Sequence, residues 1–152
     1  HAIWNRNLSI CKILLSHGAK THWITKSGEQ INALHEAVQF YVDHDRSESE
    51  EIVAAVLTSK DCDVCATDYF LGDNVLHLLV GDYYATKLKP NHRVLHLIHS
   101  ANETLLNMRN KCGFTPLQLA KNLQAKFFDD HWHVASLQSF ISEVDKLLSS
   151  EK

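Results

Sequence analysis

Three stretches of the chain pass from a glycine into apolar residues within a few positions: GEQINALHEAV from Gly28, GDNVLHLLV from Gly72 and GFTPLQLAK from Gly113. These glycines lie 44 and 41 residues apart, inside the range of about 20–50 residues that marks a structural repeat. After each of the first two comes a polar stretch and then a second apolar segment. Ile52, Val53, Val56 and Leu57 recur at i, i+1, i+4 and i+5, and Val94, Leu97, Ile98 and Ala101 at i, i+3, i+4 and i+7. Each set predicts a helix with one buried face. Near the end, Val134, Leu137, Phe140, Ile141, Val144, Leu147 and Leu148 trace a longer amphipathic stripe.

Start signals agree with these helices. Thr115 before Pro116 places a capping hydroxyl ahead of a proline at the first helical position, where its missing N–H costs nothing. Pro90 precedes the Val94 helix in a similar way, and Ser47 with Glu50 has capping-box spacing ahead of the Ile52 helix. The unit is therefore glycine turn, helix, loop, helix. One such pair is too small to bury its own apolar face, so stability must come from stacking on its neighbours.

Composition narrows the classes of function. With 45% hydrophobic and 22% charged residues over 152 positions, the chain is long and apolar enough for one ordinary globular core. A net charge of −3 offers no general attraction to phosphate backbones or anionic lipid, so neither nucleic acid nor membrane is expected as a partner. No apolar run reaches the roughly 18 residues that span a bilayer, and the opening HAIWNRN lacks the order of a signal peptide. Four cysteines are too few for a secreted disulfide scaffold, which favours a reducing intracellular compartment, cytoplasmic or nuclear.

Candidate chemistry is sparse. Cys62 and Cys65 in CDVCATD have the spacing of half a zinc site, of a redox pair, or of two small residues in a packed turn. A structural zinc site needs four ligands; only His131 and His133 offer a second pair. His92, His96 and His99 share one helical face, roughly opposite Val94, Leu97 and Ile98, and are expected to look outward. They read as a solvated polar stripe or as a metal- or pH-responsive group. HEAVQ (35–39) has Gln39 where the zinc-protease pattern needs its second histidine. With no nucleophile elbow, phosphate loop or dinucleotide glycine pattern either, the expectation is no enzyme, no catalytic residue, no metal and no cofactor.

GFTPLQLAKN (113–122) closely resembles the ankyrin-repeat signature G-x-T-P-L-H-x-A-A, with Gln118 in place of histidine. NALHEAV (32–38) and NVLHLLV (74–80) are similar to it more weakly, keeping Leu34-His35 and Leu76-His77, and ICKILLSHGAK (10–20) resembles the second half of the repeat. CDVCATD falls on A-D-V-N-A-x-D, with Cys62 as a small buried stand-in for alanine. The resemblance runs from Ala2 to about Leu148. It implies an all-α ankyrin-repeat solenoid of stacked helix-turn-helix units with short hairpin-like connecting loops and a C-terminal capping helix. The units fall at approximately 1–24 (incomplete), 25–67, 68–109 and 110–148, followed by a tail at 149–152. His35 and His77 are implied to be structural, their rings bonding neighbouring turns. Spacings above the family's period of about 33 residues place insertions at 40–51 and 81–92, expected as loops. The C-terminal stripe reads as the cap, or as a partner-binding or coiled-coil helix.

Function follows as equilibrium binding of another protein through the concave face and hairpin tips, in a scaffold, adaptor or inhibitor that is part of a larger chain or complex. The candidate partner-binding residues are His22, Trp23, Thr25 and Lys26 on the first tip, Tyr69 and Phe70 on the second, and Arg109 and Lys111 on the third, with Tyr83 and Tyr84 from the second insertion. Exposed aromatics anchor interfaces, but the same residues also serve to pack one unit on the next. The alternatives are a regulatory or targeting portion of a larger enzyme, or a metal- or pH-responsive switch built on the histidine stripe.

Overall fold

The computed structural model describes residues 1–3, 5, 7–24, 30–43, 46–85, 92–129 and 131–150, with the backbone alone at 30–31, 42–43, 46–47, 82 and 84–85. Within them the chain is mostly helical. The order is α1 (Leu8–Ser16), β1 (His22–Ile24), β2 (Gln30–Asn32), α2 (Ala33–Asp43), α3 (Arg46–Leu57), α4 (Val75–Ala85), α5 (Arg93–Ala101), a 3-10 turn (Glu103–Asn107), α6 (Pro116–Lys126) and α7 (His131–Ser150). β1 and β2 pair antiparallel, with Trp23 opposite Ile31.

The helices pack in two rows. Helix α3 packs against α1 and α5, while α4 packs against α2 and α6; the α2–α3 and α4–α5 contacts join the rows, and α7 lies on α4 and α6. Between the rows runs one core containing Leu34, Ile52, Leu76, Leu79, Ile98 and Phe140. No helix of the described residues is long and apolar enough to cross a membrane.

Local chemistry sets the helix ends. The Asn7 side chain accepts from the Ile10 N–H at 2.9 Å and caps α1. Thr115 and Gln118 close a full capping box on α6, with Pro116 at its first position. Gly72 and Gly113 adopt φ of +66° and +82°, a region costly for residues with a Cβ. At Gly72 a Cβ would also stand 3.0 Å from Lys111 Cγ. Gly28 lies outside the described residues.

One set of hydrogen bonds occurs twice, displaced by about the same number of residues. Asn32 Nδ2 donates to the Asp63 carbonyl and Asn74 Nδ2 to that of Leu105, at 3.2 and 3.0 Å. The same asparagines accept from the Leu34 and Leu76 N–H groups through Oδ1. His35 Nε2 lies 3.0 Å from the Asp73 carbonyl, and His77 Nε2 lies 2.8 Å from that of Phe114. A carbonyl can only accept, so in both rings Nε2 carries the proton. Each histidine thus ties a first helix to the turn that opens the next pair.

Several expectations need correction. The insertion at 40–51 is mostly helix, since α2 runs to Asp43 and α3 starts at Arg46, ahead of the Ser47 cap. Phe40 and Tyr41 extend the apolar face of α2 and are buried. The insertion at 81–92 likewise opens as the last turns of α4, while Pro90 and the rest of 86–91 lie outside the described residues. The buried face of α5 is Val94, Leu95, Ile98 and His99, turned by about one position from the predicted stripe. His99 is only 8% exposed, so the histidines do not form an outward row. Helix α7 runs past Leu148 to Ser150, taking part of the expected tail with it.

Candidate interaction surface

The turn between Asp68 and Asp73 presents three large apolar side chains, Tyr69, Phe70 and Leu71, to solvent; Phe70 is 74% exposed. Its backbone is tied down from several sides. Asp68 Oδ1 accepts from the Leu71 and Gly72 N–H groups at 2.7 and 3.1 Å, and the Asp68 N–H reaches the Asp73 carbonyl. From the following turn, the Lys111 N–H donates to the Leu71 carbonyl at 2.8 Å. The Lys111 ammonium donates to the Tyr69 and Phe70 carbonyls and stands 5.3 Å from the Tyr69 ring centroid. Tyr69 and Phe70 meet edge to face at 5.6 Å. The outcome is an exposed apolar tip on a fixed backbone.

The other predicted residues separate into groups. His22 and Trp23 sit exposed on β1, next to the exposed Ile24; Thr25 and Lys26 lie outside the described residues. Arg109 is exposed, but its guanidinium donates to the Gly113 carbonyl and to Gln118 Oε1, at 2.6 and 2.9 Å. Lys111 is exposed and committed to the Tyr69 turn. The side chain of Tyr84 lies outside the described residues. Tyr83 is corrected outright: it is 1% exposed, stacked on His92, packed edgewise on Phe140 at 5.0 Å, and hydrogen-bonded to His92 Nδ1 at 2.7 Å. It faces inward because α4 continues through it at i+7 from Leu76, on the buried side.

The same contacts engage two of the three stripe histidines. His92 Nε2 lies 3.2 Å from Ser139 Oγ, and His96 Nε2 lies 2.9 Å from Glu143 Oε1, whose other oxygen accepts from Lys146. Burial holds the His92 pKa below its ordinary value; Glu143 works against that shift, while His96 and Lys146 add to it. Folding then favours neutral His92, and the unfolded chain takes up the proton first. Stability from this site is present above pH 6.5 or so and is lost as the pH falls toward the depressed value. Thermal melts from pH 7 to 5 should show a smaller acid-side loss in His92→Gln than in the wild type. Equal losses would remove His92 from the acid response.

Hydrogen bonds from Lys146 and His96 hold the Glu143 carboxyl low, with Lys146 the larger, so its own loss falls below the ordinary glutamate range. Cys62 is half-buried, and burial together with Asp61 and Asp63 pushes its thiol up to about 11. That environment suits a small packed residue better than a thiolate ligand or nucleophile. Cys65 is exposed and accepts from Asn102 Nδ2 at 3.0 Å. Among the described residues, no group of three or more His, Cys, Asp or Glu side chains is gathered to hold a metal ion.

Comparison of the chain with models of protein families, with curated proteins and with solved structures finds no match in any of the three. Leu71 and Ile24 fall within the candidate tips at 67–71 and 22–26 but were not singled out as anchors, and sequence reasoning missed the exposed apolar groups Ile10, Ile13 and Leu14 on α1 and Phe127, Phe128 and Trp132 near α7. For Leu71 a signal was available: it stands outside any helical period, between an aromatic pair and a glycine.

Proposed function

We propose that the chain is an ankyrin-type repeat module that binds another protein through the aromatic tip at 69–71, together with β1. The repeat reading is supported by the Asn32/His35 and Asn74/His77 bond sets, which join like positions of successive helix pairs at a displacement of 42 residues. Thr115-Pro116-Leu117-Gln118 supplies a third start of the same kind, with glutamine completing the cap where the signature has histidine. The binding reading rests on one observation above all. Three large apolar side chains are held in water by a backbone fastened at both ends and by a lysine from the next turn. Exposed aromatic anchors on a prearranged backbone are the usual makings of an interface hot spot.

The module acts by equilibrium binding in a scaffold, adaptor or inhibitor, and makes or breaks no bond. Affinity capture from cell extract tests this. Wild-type chain and a Tyr69→Ala/Phe70→Ala variant are compared, with Phe128→Ala as a surface control. Two anchors worth about 2 kcal/mol each give, if they add, a weakening of about 700-fold. The same partner should disappear with the tip variant alone. Equal capture by all three proteins, each with native helicity, removes the tip from the interface.

A further inference from the structure

The tip at 69–71 leans on a second turn, and that turn carries two cations. The Lys111 N–H donates to the Leu71 carbonyl and Asn110 Nδ2 to Asp73 Oδ1, at 2.8 and 2.7 Å. The second turn is also closed on itself, the Asn110 and Gly113 N–H groups each lying 2.9 Å from the carbonyls of Phe114 and Asn110 in that order. Arg109 stands just before Asn110, two residues and so at most about 7.6 Å of Cα trace from Lys111. Helix α4, which the tip precedes, packs against α2 and α6, so the neighbouring units on both sides of the tip are among the described residues.

The exposed guanidinium of Arg109 is aimed but not neutralised. Its Nη1 donates to the Gly113 carbonyl and to Gln118 Oε1, at 2.6 and 2.9 Å. Gln118 stands where the ankyrin signature has histidine, and its Oε1 also accepts from the Thr115 N–H. The departure from the signature thus supplies one of the two oxygens that orient the arginine, and neither carries a charge. A guanidinium has five N–H donors in one plane. With Nη1 engaged, Nε–H and the two Nη2 donors have no partner among the described residues. Nε–H and one Nη2–H point the same way, as a fork that grips a carboxylate through two parallel bonds. Lys111 likewise gives its ammonium only to uncharged acceptors, the Tyr69 and Phe70 carbonyls.

We propose that the tip receives a segment of another protein in which a large apolar side chain lies about two to four residues from an aspartate or glutamate, a spacing set by the short span between the two turns. The apolar group meets the exposed side chains of 69–71, and the carboxylate closes on the open edge of Arg109. Complementary charge then fixes the register of a contact whose area is apolar. A phosphate carries close to two negative charges and is ordinarily read by a cluster of arginines. Here one guanidinium edge is open, and Asp68 and Asp73 occupy the facing turn, which suits a single negative charge.

This inference rests on the reading of the tip as an interface and adds the chemistry of its partner. The test is selection on the whole chain from a displayed library of random short peptides, followed by fluorescence anisotropy of the enriched sequences. These should pair an apolar side chain with a carboxylate at the stated spacing. Replacing the carboxylate by its amide should weaken binding to the wild type about tenfold or more, yet change binding to Arg109→Gln less than about twofold. An arginine that only braces its own turn would weaken both peptides alike. Arg109→Lys, which keeps the charge and loses the fork, should fall between the two. Far-UV circular dichroism of each variant should match the wild type.

Tyr69→Ala/Phe70→Ala should lose the enriched peptides altogether. Failure to find any peptide that this variant loses overturns the tip reading and the inference together. Peptides that depend on the tip but lack a carboxylate, or whose acid and amide forms suffer equally from Arg109→Gln, overturn the inference and leave the tip standing. Phosphoserine in place of the carboxylate, if it binds more than about tenfold tighter, gives the edge to a phosphorylated segment and also overturns it. So does a dimer in sedimentation that Arg109→Gln disperses, which gives the tip to a second copy.

Discussion

Phe140→Ala is expected to lower the free energy of unfolding by about 3–5 kcal/mol, the range for emptying a buried aromatic site. Phe140 is fully buried on α7 and packs edgewise on Tyr83 of α4. Tyr83 in turn holds His92, at the start of α5, and His92 reaches Ser139 on α7. Removing the ring opens a void where three helices meet, and rigid neighbours fill such voids only in part. Urea denaturation followed by circular dichroism measures the loss. A change below about 1 kcal/mol would mean that α7 is not seated on α4 as described. Tyr83→Phe separates the two parts of the contact, since it keeps the ring and removes only the hydroxyl bond to His92. Its cost should be nearer to 1 kcal/mol.

His77→Ala is expected to cost about 2–4 kcal/mol, against about 1 kcal/mol for His35→Ala. His77 is buried and spans two turns, its Nε2–H donating to the Phe114 carbonyl while Nδ1 accepts from the Asn74 N–H at 3.2 Å. Truncation strands a buried donor and a carbonyl together. His35 is only half-buried and has the Asp73 carbonyl at Nε2, while its Nδ1 has no partner. Denaturant midpoints for both variants give the comparison directly. Losses of equal size would show that the ring bonds do not set the difference between the two sites.

Residues whose role is local were the most legible. Thr115, Pro116 and Gln118 announce a helix start, and the structure closes the cap they promise. The phase of α3 was legible at Ile52, Val53 and Val56, all buried, because that helix has one clear apolar side. On α7 the inner stripe is Leu137, Phe140, Ile141 and Val144, with Val134, Leu147 and Leu148 half-buried at its ends.

Helix α5 was misread because its surroundings are richer than one face. It packs against α3 and α4 and bonds to α7, so a histidine opposite the apolar stripe still meets protein. The insertions were misread for a related reason. Glutamate and serine at 47–51 look like loop composition, yet they lie in α3, where Ser49 and Glu50 are buried and Glu50 and Glu51 meet Arg93 of α5 at 3.1 and 3.3 Å. For the interaction surface, the aromatic pair at 69–70 could be picked out as a tip, whereas the lysine that fastens it lies forty-odd residues downstream. Tyr83 was drawn to the surface by an expected loop whose opening residues, 81–85, are in fact the last turns of α4. Which side of a helix is wet depends on neighbours that a single segment does not reveal.

The fastening of the 69–71 turn bears on the thermodynamics of any encounter there. A floppy loop surrenders roughly 1–2 kcal/mol for each residue whose backbone association fixes, but here much of that loss has already occurred while the chain folded. Recognition at this spot should thus resemble a key meeting a cut lock, with little rearrangement on the array's side and selectivity governed by shape.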